Sequence, residues 1–301
     1  MNIYLPIAEM SVNIFLILGL GTMAGVLAGI FGIGGGFLLT PLLIFIGVPP
    51  SISVATVANQ IIATSVSGFI AHWRRNNVDF KMGWFLFGGG VVGSSIGVAV
   101  FHWLQRLGQI DLIISICYVS FLGVIGSIMA SESIRSIFKF AKKPVTHEKM
   151  KFFSRMPWQV HFPHSKITTS GFAPLIVGLA IGVLVSLMGI GGGFFMIPAL
   201  IYILGMPTNV VIGTALFQTI FITANVTLLQ AVTTQTVDIV LALVLLAGSV
   251  FGAQFGSKIG AKLPAEHLRG LLAFIILSVA IKLAFGLFTT PESIYSVSVA
   301  P

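Results

Sequence analysis

Apolar residues along this chain fall into long, nearly unbroken runs rather than one-sided stripes. Ile14–Ile30, Leu112–Ala130, Ile239–Phe255 and Leu271–Leu287 are examples, each at or near the ~18 residues that read as a membrane-crossing helix. Taken in order, the runs predict five helical segments in each half of the chain. In the first half they cover about 11–31, 37–48, 51–72, 81–104 and 110–130. In the second they cover about 172–189, 194–205, 209–230, 237–257 and 267–288. The second segment of each set is short, ~18 Å as helix against a bilayer core of ~30 Å. It reads as a half-helix, a re-entrant piece or a strongly tilted span.

Composition sharpens this into a class. The 301 residues are 56% hydrophobic and 8% charged, where soluble domains carry about 25% charged residues. The fold class expected is all-α, a polytopic membrane protein embedded in the lipid bilayer. The net charge of +8 does not point to nucleic acid, because the basic residues cluster in a few connecting loops, as membrane topology requires. Cys117 is the single cysteine, so no intrachain disulfide is possible, and its apolar setting reads as packing. The N-terminal stretch MNIYLPIAEM lacks a basic n-region and is not read as a removable signal peptide.

The halves repeat each other. Gly32-Ile33-Gly34-Gly35-Gly36-Phe37 matches Gly189-Ile190-Gly191-Gly192-Gly193-Phe194, and Pro41 matches Pro198. Thr56 and Gln60 match Thr214 and Gln218; Val78-Asp79 matches Val237-Asp238; Gly89, Gly93 and Gly97 match Gly248, Gly252 and Gly256. The offset stays at 157–159 residues throughout. The domain reading is a first transmembrane repeat at 11–130, a basic linker at 131–170 and a second repeat at 171–288.

Charge sets the expected orientation. Arg74, Arg75 and Lys81 flank the connection between the third and fourth segments, which positive-inside bias assigns to the cytoplasm. The linker, with Arg135, Lys139, Lys142, Lys143, Lys149, Lys151, Arg155 and Lys166, falls on the same side, as do Lys258, Lys262 and Arg269. The third segment then starts outside and its counterpart starts inside, which makes the repeats inverted, with both termini outside. Arg106 is a mild departure. The linker is expected to be a solvated loop, with Ile137, Phe138, Phe140, Phe152, Phe153 and Trp158 against lipid headgroups.

Two features carry candidate chemistry. Non-helical backbone at membrane depth persists only where protein or a water-filled cavity surrounds it. A glycine turn before a short helix also presents free N–H groups and a partial positive charge, which together suit an oxyanion. The expected donors lie at Gly34, Gly35 and Gly36 and at Gly191, Gly192 and Gly193, with the turns converging near the midplane. Close helix packing around a hairpin explains the same glycines without a ligand. The second feature is polar residues on the third segment of each half: Thr56, Asn59 and Gln60, and Thr214, Gln218 and Asn225. They line a pathway, or hydrogen-bond across helices.

The remaining polar positions have simpler readings. Asp79, Asp111 and Asp238 sit where helices start and serve as caps. Lys282 snorkels from its span, and His72 to Arg75 anchor an interface. The Gly89 and Gly248 sets, four residues apart, permit close helix approach. With no P-loop, HExxH or paired Cys/His set in the sequence, no nucleotide or metal cofactor is implied.

The paired G-x-G-G-G-F…P segments at Gly32–Pro41 and Gly189–Pro198, with the T-x-x-x-Q helices at Thr56–Gln60 and Thr214–Gln218, resemble the TauE/SafE sulfite-exporter permease family over about residues 15–288. The resemblance implies a plasma-membrane permease, mostly bacterial, for sulfite or another sulfur-containing or organic anion. The expectation is therefore a secondary transporter of a small anion working by alternating access in a bacterial inner membrane, not an enzyme. An anion channel on the same architecture and a non-transporting membrane assembly partner stand as alternatives.

Overall fold

A computed structural model describes residues 2–31, 35–137, 158–260 and 265–288. Two short strands, β1 (Asn2–Leu5) and β2 (Met10–Asn13), form an antiparallel hairpin ahead of α1 (Ile14–Phe31). Then come α2 (Gly36–Phe45), α3 (Pro50–Trp73), α4 (Phe80–Arg106) and α5 (Ile110–Ile137). A second hairpin, β3 (Gln159–Phe162) with β4 (Ile167–Ser170), opens the second half. It is followed by α6 (Phe172–Met188), α7 (Gly192–Tyr202), α8 (Thr208–Thr233), α9 (Ile239–Gly260) and α10 (Ala265–Phe288). Six of the helices are long and apolar enough to cross a membrane. The protein is an all-α, multi-pass membrane protein, and α2 and α7 are short, at 10 and 11 residues.

Local chemistry explains the boundaries. Pro50 opens α3, where its missing N–H has no helical acceptor to lose. Asp79 caps α4 by accepting from the Met82 N–H at 3.0 Å, and Asp238 caps α9 by accepting from the Leu241 N–H at 3.0 Å. Asp111 lies in the first turn of α5, and its carboxylate accepts from the Ser51 N–H at the head of α3 at 2.9 Å. Gly189 ends α6 in the left-handed region, φ +62°, with its N–H returned to the Val185 carbonyl.

The halves do not pack as separate bodies; they exchange helices. In the first half α1 lies along α9, and in the second half α6 lies along α4. The glycine spacing makes this possible. A Cβ at Gly89, Gly93 or Gly97 would stand 2.0 Å from the Leu175 carbonyl oxygen, 2.0 Å from that of Leu179 and 1.8 Å from Ser186 Oγ. On the other side, a Cβ at Gly252 or Gly256 would stand 2.1 Å and 2.0 Å from the Thr22 and Val26 carbonyl oxygens. Backbone therefore meets backbone in both seams, as the spacing predicts. Residue numbers rise together across each seam, so both pairs are parallel.

At the centre α3 packs against α8. There Gly68 faces Leu216 and Gly213 faces His72, so these two run antiparallel. The outer pair is α5 with α10. Lys282 of α10 places its ammonium 4.2 Å from the centre of the Phe45 ring, a cation–π contact in place of simple snorkelling.

The stretch 131–170 is not all loop. Helix α5 continues to Ile137, and Gln159–Ser170 forms the second hairpin. The expected headgroup contacts of Phe138, Phe140, Phe152 and Phe153 lie outside the described residues. Trp158 is exposed and packs its ring against Phe85 and Phe172. Each hairpin is repeated at the residue level. Leu5-Pro6 matches Phe162-Pro163, and Glu9 and Lys166 both take positive φ, 50° and 53°.

Candidate functional site

The glycine turns come together. Gly35 precedes α2 and Gly191 precedes α7, neither with a side-chain cap. Gly34 lies outside the described residues. Phe37 and Phe194, the first large residues of the two short helices, stack with ring centres 4.9 Å apart and planes 9° from parallel. A Cβ at Gly36 would stand 2.3 Å from Ile61 Cδ1 and 3.0 Å from the Gly189 carbonyl oxygen. A Cβ at Gly191 would meet Ile61 at 3.0 Å, and one at Gly192 would meet Thr219 Oγ1 at 2.8 Å. Both short helices therefore begin against the middle of the α3–α8 pair.

That placement has an electrostatic consequence. The first N–H groups of a helix have no intrahelical acceptor and carry the positive end of its dipole. Gly36, Phe37, Gly192 and Gly193 are all buried at these ends. Gly191 reaches the position through φ +74° and ψ 128°, a conformation that only glycine adopts without strain. Any side chain there would also run into Ile61.

The polar residues of the third segments divide. Gln60 is completely buried, and neither Oε1 nor Nε2 has a hydrogen-bond partner. Gln218 is equally buried; its Nε2 donates to the Leu86 carbonyl at 3.4 Å and its Oε1 has none. A buried polar atom left unpaired costs about 1–3 kcal/mol, so unpaired amide oxygens at these two equivalent positions mark a place where the fold alone does not use all of its polar groups. Asn59 is partly buried beside Gln60.

Thr56 and Thr214 have structural partners instead. Thr56 Oγ1 accepts from the Asp238 N–H at 3.1 Å, and Thr214 Oγ1 accepts from the Asp79 N–H at 2.9 Å. Each threonine ties its helix to the opposite repeat. The same aspartates also hold the hairpins: Asp79 Oδ2 accepts from Ser165 N–H and Oγ–H, and Asp238 Oδ2 accepts from the Ile7 N–H. Asn225 donates through Nδ2 to Ser94 Oγ at 2.8 Å and Ser95 Oγ at 3.2 Å, and Ser95 is exposed. That is a bond from α8 to α4, about two helical turns beyond Gln218.

Two residues at the turns escape a search for repeated motifs. Thr219 touches Gly192, but its counterpart in the first half is Ile61, so matching the repeats hides it. Tyr118 of α5 is fully buried and donates its hydroxyl to the Met188 carbonyl, just before the second turn. Its position in an apolar run gave no signal. Among the described residues no group of three or more His, Cys, Asp or Glu could hold a metal ion.

The sequence family described as "Sulfite exporter TauE/SafE" matches residues 17–283. The chain belongs to the TauE/SafE family. It is 30% identical over 276 residues to "Probable membrane transporter protein YjnA" of Bacillus subtilis (strain 168), covering 91% of this chain and 100% of that protein. It is 29% identical over 212 residues to a "Probable membrane transporter protein" of Xylella fastidiosa (strain 9a5c), covering 68% of this chain and 69% of the relative. It is also 30% identical over 97 residues to "Sulfite exporter TauE/SafE family protein 3" of Arabidopsis thaliana, covering 32% of this chain and 20% of that protein. No solved structure matches the chain. TauE/SafE proteins are membrane transporters, not a class of enzymes, so this chain is a multi-pass transporter with a small-molecule substrate.

Proposed function

We propose that this TauE/SafE transporter is a secondary carrier of a small oxyanion, sulfite or a close sulfur-containing or organic relative, working by alternating access. The observation that carries the reading is the meeting of two capless helix N-termini against Ile61 and Thr219, next in sequence to Gln60, whose amide atoms both lack partners, and Gln218, whose Oε1 lacks one. Backbone N–H groups and neutral amides bind an anion by hydrogen bonds without leaving a permanent charge in the membrane. The proposed site is Gly34, Gly35, Gly36, Gly191, Gly192 and Gly193 with Gln60, Gln218 and Asn59. Thr56, Thr214 and Asn225 support it from the helices. Relatives named "sulfite exporter" favour sulfite as the first anion to try.

The repeats, 11–130 and 171–288, are proposed to be inverted. Helix α3 and its counterpart α8 are antiparallel, while α1 with α9 and α4 with α6 are parallel. The antiparallel run of the equivalent helices α3 and α8 supports inversion, and the two parallel pairs are compatible with it. The basic loops support a cytoplasmic linker 131–170 with both termini outside, and the membrane proposed is a bacterial plasma membrane. Discontinuous helices meeting at the midplane of two inverted repeats are a recurrent carrier design, in which rocking exposes the site to alternate sides.

Sulfite flux into proteoliposomes tests the reading. Wild-type protein is expected to show saturable uptake with counterflow, and Gln60→Met and Gln218→Met each to reduce it strongly. Folded variants that both transport at the wild-type rate would remove the proposed site. Single-channel currents in place of counterflow would make the protein a channel.

A further inference from the structure

Below and above the glycine turns, α3 and α8 carry polar groups that the site does not use. Ile61, Ser65 and His72 share one face of α3, being spaced four and seven residues apart. Thr219, Thr223 and Gln230 share the matching face of α8, each 158 residues on. Ser65, Thr223 and Gln230 are fully buried and Thr219 is 2% exposed, although all four are polar. Three atoms along these faces have no partner: Ser65 Oγ, His72 Nδ1 and Gln230 Oε1. Gln230 Nε2 donates to the Ser186 carbonyl at 3.1 Å. Helix packing alone does not call for unpaired polar atoms at equivalent positions in both repeats.

Direction gives the pattern its meaning. Both columns start at the glycine turns, since Ile61 touches Gly36 and Gly191 and Thr219 touches Gly192. Because α3 and α8 are antiparallel, the columns leave that point in opposite directions. The α3 column ends at His72, close to Arg74 and Arg75; the α8 column ends at Gln230, near the Thr234–Thr236 hydroxyl pair. Gly68 and Val226 are the apolar members of the two faces.

We propose that these columns are the two halves of the anion pathway: Ser65 and His72 line the passage to one side of the membrane, and Thr219, Thr223 and Gln230 line the passage to the other. The reading rests on the proposed carrier function and names the route to that site. The ligand is a small oxyanion. It meets hydroxyl donors, which Thr219 and Thr223 now direct to their own helix at the Ala215 and Thr219 carbonyls, 2.8 Å and 2.6 Å away, and the Gln230 amide N–H, now given to the Ser186 carbonyl. An arriving anion replaces those carbonyls by rotation of the hydroxyl alone. Neutral donors in series hold the anion weakly enough for it to leave again.

The test uses the full chain in proteoliposomes of fixed orientation with Cys117→Ser as background. Single variants Ser65→Cys and Thr223→Cys are exposed to a membrane-impermeant anionic methanethiosulfonate from each side. Labelling of Ser65→Cys from the linker side only, and of Thr223→Cys from the other side only, with loss of sulfite flux in each case, is the expected result. If both variants transport sulfite yet neither is labelled, or both are labelled from one side, the pathway is overturned while the carrier reading stands. If labelling shows the expected sidedness but the background protein moves no sulfite, the pathway stands and sulfite as the substrate falls.

Discussion

At the scale of single residues, Gln60 and Gln218 set polarity against packing. The interior around them is close-packed and apolar, yet Gln60 places both amide atoms there without a partner. Methionine has nearly the same shape and no amide. Gln60→Met is therefore expected to raise the stability of the folded protein in detergent, by about 1–3 kcal/mol for the relieved polar atoms. The same change is expected to lower transport. Thermal unfolding and flux measured on one preparation check this, and a variant that loses stability would show that Gln60 has a structural partner. Gln218→Met should gain less, because Gln218 Nε2 already donates to Leu86. The glutamines were legible in the sequence as polar breaks in an apolar helix. Thr219 was not, because a hydroxyl beside a glycine turn has no periodic signature and its repeat partner is an isoleucine.

At the scale of elements, glycines that look alike in the sequence separate by what lies opposite. A Cβ at Gly93 would lie 2.0 Å from the Leu179 carbonyl oxygen, whereas one at Gly19 would meet nothing within 4 Å. Gly93→Ala is expected to force α4 and α6 apart and lower the melting temperature sharply. Gly19→Ala is expected to be neutral or to stabilise by up to about 1 kcal/mol from helix propensity. The aspartate caps make a second contrast. Asp79 accepts three hydrogen bonds, from Met82 and twice from Ser165, while Asp238 accepts two, from Leu241 and Ile7. With a cap worth about 0.5–2 kcal/mol, Asp79→Ala should cost more stability than Asp238→Ala in parallel unfolding curves. Capping was readable from position for Asp79 and Asp238, whereas Asp111, read as a third cap, instead accepts from the Ser51 N–H of α3. The hairpins were not, since four-residue strands beside long apolar helices leave little pattern. The repeated Leu5-Pro6 and Phe162-Pro163 pairs were their one sequence trace.

At the scale of the whole molecule, the repeat was plain in the sequence, and the way the halves embrace was not. Periodicity identifies a buried face but not which helix covers it, so the pairing of α1 with α9 and of α4 with α6 came only from the structure. That exchange fixes the glycine seams and leaves α3, α8, α2 and α7 at the centre. Each Asp–Thr–hairpin latch spans both repeats, one at the head of α4 and the other at the head of α9. If the repeats rock, each latch must yield when its own side opens. Ser165→Ala, which removes one of the bonds to Asp79, is expected to favour opening on the linker side. That shift would appear as faster labelling of Ser65→Cys from that side, with Thr223→Cys labelling slowed.

The central claim is that a small oxyanion sits where the two glycine turns meet. A structure determined with selenite, an anomalously scattering analogue of sulfite, measures this directly. The account predicts selenite oxygens within about 3 Å of the N–H groups that open α2 and α7, with the anomalous selenium peak one bond length behind them, lost in a Gln60→Met, Gln218→Met double variant. Density only at the protein surface, at a selenite concentration that blocks sulfite flux, would contradict it.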